Sequence, residues 1–274
     1  MKTQTIYLTT ILTLLASSPL WADLTATTTS NEIKLRYEKP NGLAKLSINQ
    51  DISAGNHKSI AHRQLLMEFE LSETPGAFNV DINKIKGSYT SHDMTQRLPA
   101  SGLKGQSFAL QKINDDRALQ RTESDNKLQV GLGQMIGENY PVGLALADIL
   151  PILPQEPVTL GSTWESTRAT RSLEGWAWTE ASLSSEHTVT DVDERGGHTI
   201  VSVTSKAHAK LNDVEGGIAF SGDGDLTRTS HWRFDATEGR LLSVSMEQRT
   251  SGVNTLPQGD INVQQQTNVE LSTK

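Results

Sequence analysis

The chain has 274 residues, of which 21% are charged and 35% hydrophobic, with a formal net charge of −7 and no cysteine. Without cysteine it forms no disulfide, and it has no thiol to carry the lipid of a lipoprotein. Its charges are interspersed and negative in sum, which argues against nucleic acid or an anionic membrane surface as a partner.

The first segment has the pattern of a secretory signal peptide. Lys2 precedes an apolar run from Ile6 to Ala16, and the small residue Ala22 ends the segment. The run is shorter than the roughly 20 apolar residues of a membrane-spanning helix, so cleavage near Ala22 is expected. No later stretch approaches that length. The sequence therefore predicts a signal peptide at residues 1–22 and a mature chain without a transmembrane segment, located in the periplasm or secreted.

Alternating apolar and polar residues dominate the next segments. Successive side chains of a strand point to opposite faces, so such alternation indicates strands with one buried and one solvated face. The apolar rows are Ile33, Leu35 and Tyr37; Ala44, Leu46 and Ile48; Leu65, Met67, Phe69 and Leu71; and Phe78, Val80 and Ile82. The sequence ETPGA between the last two rows contains a Pro-Gly pair, which predicts a hairpin turn.

One segment, ENYPVGLALADILP, predicts a helix of about two to three turns. Pro141 suits the start of a helix, and Pro151 ends it because proline cannot continue the hydrogen-bond ladder. The link that follows, LPILPQEP, carries Pro154 and Pro157 as well. We therefore predict a boundary here, between an N-terminal β-rich half of residues 23–150 that ends in the helix and a C-terminal β-rich half of residues 151–274.

The link leads into the sequence PVTLGSTW, in which Pro157, Val158, Gly161 and Trp164 form the pattern Pro-Val-x-x-Gly-x-x-Trp. This pattern and the later segment WRFDATEGRLLSVSMEQRTSG resemble segments of exported bacterial proteins of uncharacterised function. The resemblance implies long antiparallel strands, similar to the curved half-barrels of periplasmic lipoprotein-handling proteins, and carries no activity. From the residues themselves the motif is interpreted as structural, with a tight turn at the glycine and the indole between link and sheet.

The sequence GWAW places Trp176 and Trp178 two residues apart, so both indoles are expected on one face of a strand. Such a pair forms a platform that stacks on sugar rings or on a lipid-like surface. The alternative is that both rings cover the core or the helix. Both interpretations stay open, and the pair is the candidate ligand-binding site.

Two rows near the C-terminus complete the strand pattern. Leu242, Val244 and Met246 form an apolar row. The final segment has a face that is only half apolar, which predicts a closing or edge strand. The residues of that face are Val263, Gln265, Thr267, Val269 and Leu271.

Metal-binding patterns are absent from the sequence. The seven histidines are scattered without the spacing of a local metal site, and His187 and His231 have no nearby partner along the chain. Asp223 and Asp225 alternate as calcium ligands do, but the further ligands of a calcium-binding loop do not follow. No metal and no cofactor are predicted.

Catalytic motifs are also absent from the sequence: no nucleophile elbow and no Ser-x-x-Lys set occur, so no catalytic residue is predicted. The sequence predicts an all-β fold, or a β-rich fold with one short helix. It is built of long antiparallel twisted sheets in one or two lobes, and a half-barrel is one form that such sheets can take.

A large sheet with one helix leaves part of its apolar face uncovered. This predicts non-enzymatic binding of an apolar or amphiphilic ligand or of an envelope partner protein. A hydrolase without a recognisable motif and a structural envelope protein are the alternatives.

Overall fold

Nearly all of the described chain lies in long strands, as a computed structural model shows. The structure describes residues 32–40, 42–55, 57–91, 94–97, 103–121, 129–131, 139–171, 180–211, 224–256 and 259–273. In chain order the strands are β1 (Gly42–Ala54), β2 (His57–Thr74), β3 (Ala77–Ser91), β4 (Met94–Arg97), β5 (Ser107–Ile113), β6 (Ala118–Arg121), β7 (Gln129–Gly131), β8 (Asn139–Pro141), β9 (Thr163–Arg171), β10 (Glu180–Arg195), β11 (His198–Leu211), β12 (Gly224–Asp235), β13 (Arg240–Leu256) and β14 (Gly259–Thr273), and helix α1 (Val142–Ile149) lies between β8 and β9. The predicted signal peptide, Trp176 and Trp178 lie outside the described residues.

Twelve of the strands form one antiparallel sheet in the order β6-β5-β3-β2-β1-β14-β13-β12-β11-β10-β9, with β4 beside β3. Strands β7 and β8 form a separate pair. Among the described strands the large sheet is open, with β6 and β9 at its edges. The prediction of an all-β fold of long antiparallel strands with one short helix is confirmed. In the described residues, the helix is too short to cross a membrane.

The predicted apolar rows face the core. Ala44, Leu46 and Ile48 of β1 are buried, and so are Val80 and Ile82 of β3. The predicted hairpin joins β2 to β3: Thr74 pairs with Ala77 across the two-residue Pro75-Gly76 turn, and φ at Gly76 is +73°. The predicted helix is also present, and it occupies the residues between the two prolines that were expected to bound it.

The segment around Ile33, Leu35 and Tyr37 is not the strand that its alternation predicted. Ile33 makes a single bridge to Val158, and the backbone N–H of Tyr37 donates to Asp116 O at 2.8 Å. Leu35 and Tyr37 are nevertheless buried, at 1% and 2% exposure. The alternation arises because this extended segment packs its side chains against the core, while its backbone does not join a ladder.

The last strand, β14, is central and not at an edge, which corrects the sequence-based prediction. It pairs with β13 on one side and with β1 on the other, so it joins the N-terminal and C-terminal strands. Its Gln265 and Thr267 are buried at 3% and 0% exposure.

A register shift in the pairing of β12 with β13 changes which leucine of β13 is buried. The shift lies between Arg233 and Phe234 of β12. Leu241 consequently takes the core position that the sequence assigned to Leu242, and it is 1% exposed.

Both halves of the sequence contribute strands to the same sheet, and residues 31–274 cluster as one compact unit. The boundary predicted at residue 150 stays a prediction. The apolar core lies on one face of the sheet, where residues of α1 and the link pack against rows from β1, β2, β3, β5 and β11–β14. We call this buried side of the sheet the inward face and its opposite the outer face.

Gly239 in the turn between β12 and β13 allows the segment 36–39 to approach closely. Its φ is +64°, and an added Cβ would lie 2.5 Å from Glu38 Cβ and 3.0 Å from Arg36 O. Gly239→Ala is therefore expected to lower the free energy of unfolding in urea by about 2 kcal/mol, through both backbone strain and this contact. Gly197→Ala is the control, because φ there is +82° but nothing lies within 4 Å, and about 1 kcal/mol is expected. Equal losses for the two variants would contradict the close approach.

Candidate functional site

A row of nine side chains, of which all but Ala207 are polar, crosses the inward face. Cross-strand pairing aligns one residue from each of nine neighbouring strands at the same level. From β3 to β9 they are Tyr89, Arg63, Gln50, Thr267, Gln248, Arg228, Ala207, Ser185 and Ser166. We call these residues the polar row. Its central members, from Arg63 to Arg228, are all at most 8% exposed, so the row is part of the protein interior.

Two arginines of the inward face hold the C-terminal end of α1. Arg228 Nη1 donates to Asp148 O at 3.0 Å, and Arg168 Nη1 donates to Ala147 O at 2.6 Å. The last carbonyls of a helix have no partner within the helix and carry partial negative charge, which cationic donors satisfy. Arg228 also donates Nε and Nη2 to Gln248 Oε1, at 3.1 and 2.7 Å. The three nitrogens of this guanidinium are therefore all engaged.

The charge at this end of α1 is positive in sum. The pKa of Arg228 is lowered to about 10, mainly by burial; the Asp148 carboxylate opposes this shift, and the neighbouring Arg168 contributes a smaller lowering. Burial likewise lowers the pKa of Arg168, against the attraction of Asp148. Arginine stays protonated in folded proteins, so two cations share one carboxylate. Such a cluster favours a further anionic or electron-rich group beside it.

His187 is the centre of a cluster of two serines and two tryptophans. It lies two residues after Ser185 on β10, so it is next to the polar row on the same face. Its Nε2 lies 2.8 Å from Ser166 Oγ, and its Nδ1 lies 2.6 Å from Ser205 Oγ. The imidazole stacks on the Trp164 ring, with centroids 4.8 Å apart, and Trp232 Nε1 donates to Ser205 Oγ at 2.9 Å. The sequence predicted no nearby partner for His187, and the structure supplies its partners across strands.

His187 is neutral at pH 7, and two hydroxyls contact its ring nitrogens. Burial, and secondarily the charge of Arg168, lowers the pKa of His187 to about 4. Ser205 Oγ accepts from Trp232 Nε1 and also contacts His187 Nδ1, and Ser166 Oγ contacts Nε2. A serine hydroxyl both donates and accepts, so the tautomer of the ring decides which serine accepts from the imidazole and which donates to it.

Glutamine and threonine side chains fill the centre of the polar row. Gln50 Nε2 and Gln265 Nε2 donate to Thr267 Oγ1 at 3.4 and 3.2 Å. Two buried atoms nearby, Gln248 Nε2 and Thr250 Oγ1, have no hydrogen-bond partner among the described residues. A buried polar atom without a partner costs about 1–3 kcal/mol, so the two atoms are unusual in a folded interior.

The cavity under α1 on the inward face is much smaller than the grooves on the outer face. Between α1 and the sheet a cavity of about 20 Å³ remains, lined by apolar side chains that include Phe69, Leu146 and Leu150. That volume holds about one water molecule. The outer face has two open grooves of about 660 and 480 Å³ that share Thr227, and none of their described lining residues is Phe, Trp or Tyr.

The motif residues lie where the link enters the sheet. Val158 is buried and exchanges two 2.8 Å backbone hydrogen bonds with Ile33, and Pro157 beside it is exposed. Gly161 has φ of +83° and donates its N–H to Val189 O at 3.0 Å. Trp164 donates Nε1 to Ile152 O at 3.2 Å. Trp164 is thus the motif residue that reaches the cluster around His187, through its stacking on the imidazole.

Sequence reasoning missed the members of the site that carry charge. Arg228 lies in phase with the buried Leu226 and Trp232 of β12, and Arg63 lies in phase with Leu65 and Met67 of β2. A charged residue at a position of apolar phase is the signal that could have identified them, and the predicted apolar rows include neither arginine. The candidate pair Trp176 and Trp178 lies outside the described residues, so its role as a ligand platform stays a prediction.

Metal binding finds no support in the ranges that the structure describes, where no three His, Cys, Asp or Glu side chains are placed to share an ion. The His62 ring contacts one carboxylate, with Nδ1 at 2.8 Å from Asp51 Oδ1. His198 Nδ1 likewise lies 2.9 Å from Asp235 Oδ2. Each is a single pair, which falls short of the three or four ligands of a zinc site.

Comparison with known proteins gives little beyond the architecture already described. No protein-family model and no curated protein matches the chain. A solved structure that describes lipid–protein interactions in lipovitellin is similar over 87% of this chain, with a TM-score of 0.43 and 10% sequence identity. The chain spans 25% of the length of that lipovitellin chain. This similarity is below the level at which a shared fold or ligand follows from it.

Proposed function

We propose that this chain is exported and that the mature protein binds an amphiphilic ligand on the inward face without converting it. The observation that carries the proposal is the polar row. Buried polar side chains, two of them arginines, cross a face that is apolar on both sides of them. An amphiphile offers the matching combination of an apolar chain and a polar headgroup. Export rests on the pattern of residues 1–22.

Stability alone does not account for the polar row. Taking a charged side chain out of water costs several kcal/mol, and replacing a whole buried ion cluster by apolar side chains is often neutral or stabilising. The cluster of Arg168, Arg228 and Asp148 therefore has a cost that an apolar core would avoid. A ligand that uses these groups explains why they are present.

The volume of the interior sets a condition on binding. An alkyl chain does not fit into the cavity of about 20 Å³ beneath α1. The ligand must therefore displace part of what covers the inward face. We take helix α1 as the element that moves, because it covers this part of the inward face and its last carbonyls contact Arg168 and Arg228.

Export and binding are tested on the full chain expressed in a bacterium. We expect the mature protein outside the cytoplasm with a mass that lacks residues 1–22, and an intact chain in the cytoplasm would contradict export. Native mass spectrometry and solvent extraction of the purified protein are expected to show a co-purifying amphiphile. A protein that neither retains an amphiphile nor binds added dodecanoate would contradict the binding proposal. A co-purifying protein in place of lipid would favour the partner-protein alternative.

A hydrolase is the second candidate, and the contact between Ser166 and His187 is the observation that favours it. It is second because both ring nitrogens of His187 contact serines, so no carboxylate orients the ring toward Ser166, and a pKa of about 4 makes the ring a weak base. Labelling with a fluorophosphonate separates the two functions. We expect no labelling, and stoichiometric labelling that Ser166→Ala abolishes would favour the hydrolase.

A further inference from the structure

We infer that the ligand carries an anionic headgroup, a carboxylate or a phosphate, and that this headgroup binds at Arg228, Gln248 and Thr250. The inference rests on the proposed function and names the chemistry of the ligand's polar end. Its basis is the pair of buried polar atoms on β13 that have no partner within the described ranges, together with the positive charge beside them.

The orientation of Gln248 follows from its contact with Arg228. Two guanidinium nitrogens of Arg228 approach the same side-chain atom of Gln248, at 3.1 and 2.7 Å. Arginine only donates, so that atom must be the amide oxygen. The amide nitrogen Nε2 consequently points away from Arg228 and presents its N–H groups to the interior. Gln248 is 1% exposed, so solvent does not satisfy this donor.

Thr250 offers a second polar atom to the same place. It follows Gln248 by two residues on β13, so both side chains extend from the inward face about 7 Å apart. Thr250 is 2% exposed, and its Oγ1 has no hydrogen-bond partner in the described part of the chain. A headgroup with two or three oxygens spans such a gap and accepts from both side chains.

The charge of the site favours an anionic headgroup, and its apolar surroundings favour one that carries an alkyl chain. Arg168 and Arg228 share the carboxylate of Asp148, so the site carries more positive than negative charge. The cross-strand partner of Thr250 on β12 is the buried Leu226, which belongs to an apolar cluster with Ala209 and Leu211. An anionic headgroup at Gln248 would therefore have apolar side chains within reach of the first carbons of its chain.

The test compares dodecanoate with dodecanol, which has the same chain and no charge, by calorimetric titration of the full mature protein. Dodecanoate is expected to bind at least about tenfold more tightly than dodecanol.

Variants of the two headgroup residues test the site itself. Gln248→Glu keeps the acceptor for Arg228 and adds a negative charge, so it is expected to remove the preference for dodecanoate over dodecanol. Thr250→Val is expected to weaken dodecanoate about three- to tenfold without lowering the urea midpoint, since it removes an unsatisfied hydroxyl. Thr229→Val, on the exposed outer face of β12, is the matched control and is expected to leave affinity unchanged.

The outcomes separate this inference from the function on which it rests. Equal binding of dodecanoate and dodecanol, with no effect of Gln248→Glu, would overturn the anionic headgroup and leave ligand binding in place. Binding of acetate or inorganic phosphate that Gln248→Glu weakens, with no gain from the alkyl chain, would support the anion site and overturn the amphiphile. Failure of all four probes to bind would overturn both.

Discussion

Arg228→Met is expected to lower the free energy of unfolding by about 3–4 kcal/mol, which is the loss that follows when one member of a buried charge cluster is removed alone. Methionine fills most of the volume but donates no hydrogen bond. Gln248 Oε1 and Asp148 O then lose the donors that now lie at 2.7–3.1 Å and 3.0 Å, in a part of the core that is at most 9% exposed. The end of α1 also loses one of its two side-chain contacts.

Urea unfolding followed by tryptophan fluorescence measures this loss. Arg233→Met is the matched control, because Arg233 lies on the exposed outer face of the same strand. There we expect a change within about 0.5 kcal/mol. A loss below about 1 kcal/mol for Arg228→Met would show that the guanidinium is not the element that holds α1 to the sheet.

Local alternation predicted the strands well because the order of apolar and polar residues along one strand shows which of them face the core. Ala44, Leu46 and Ile48 face the core as predicted, and so do Phe78, Val80 and Ile82. The same rule failed for Leu35 and Tyr37, since alternation reports that one side of an extended chain is buried and not that its backbone is paired. The helix between Pro141 and Pro151 was predictable because proline constrains the backbone directly.

Pairing between distant strands was not predictable in this way. Strand β14 was expected to be a closing or edge strand because Gln265 and Thr267 are polar, and the edge position is wrong because its neighbours are β1 and β13. Only the alignment of strands from both ends of the chain shows that Thr267 meets Gln50, which donates to it at 3.4 Å. Polar residues at buried positions look like a solvated face until that register is known.

The candidate site could not be predicted either, because it also depends on the register between distant strands. Arg63, Arg228 and Gln248 are polar residues at buried positions of three alternating strands, and only cross-strand register places them at one level. Arg168 adds its charge from β9, at the edge of the sheet, through a contact with a helix carbonyl. Phase can be counted along one strand, whereas the level of a residue in the sheet depends on every turn and register shift between the strands.

Stability is expected to fall by about 3 kcal/mol between pH 7 and pH 4 through His187 alone. Burial lowers the pKa of this histidine from 6.5 to about 4 in the folded protein. The unfolded chain therefore binds the proton more readily than the folded one, and the free energy of unfolding rises with pH in this range. The contribution is complete above about pH 6.5 and is lost as the pH falls toward 4.

Comparison with His187→Gln isolates this effect from the carboxylates, which also titrate toward the acidic end of the range. Glutamine keeps a polar side chain between Ser166 and Ser205 but does not titrate, so its urea midpoint is expected to change less between pH 7 and pH 4 than that of the wild type. His231→Gln, exposed on the outer face of β12, should follow the wild-type curve. Parallel curves for the wild type and His187→Gln would show that His187 takes up a proton as readily in the folded protein as in the unfolded chain, and a neutral imidazole between the serines would then be wrong.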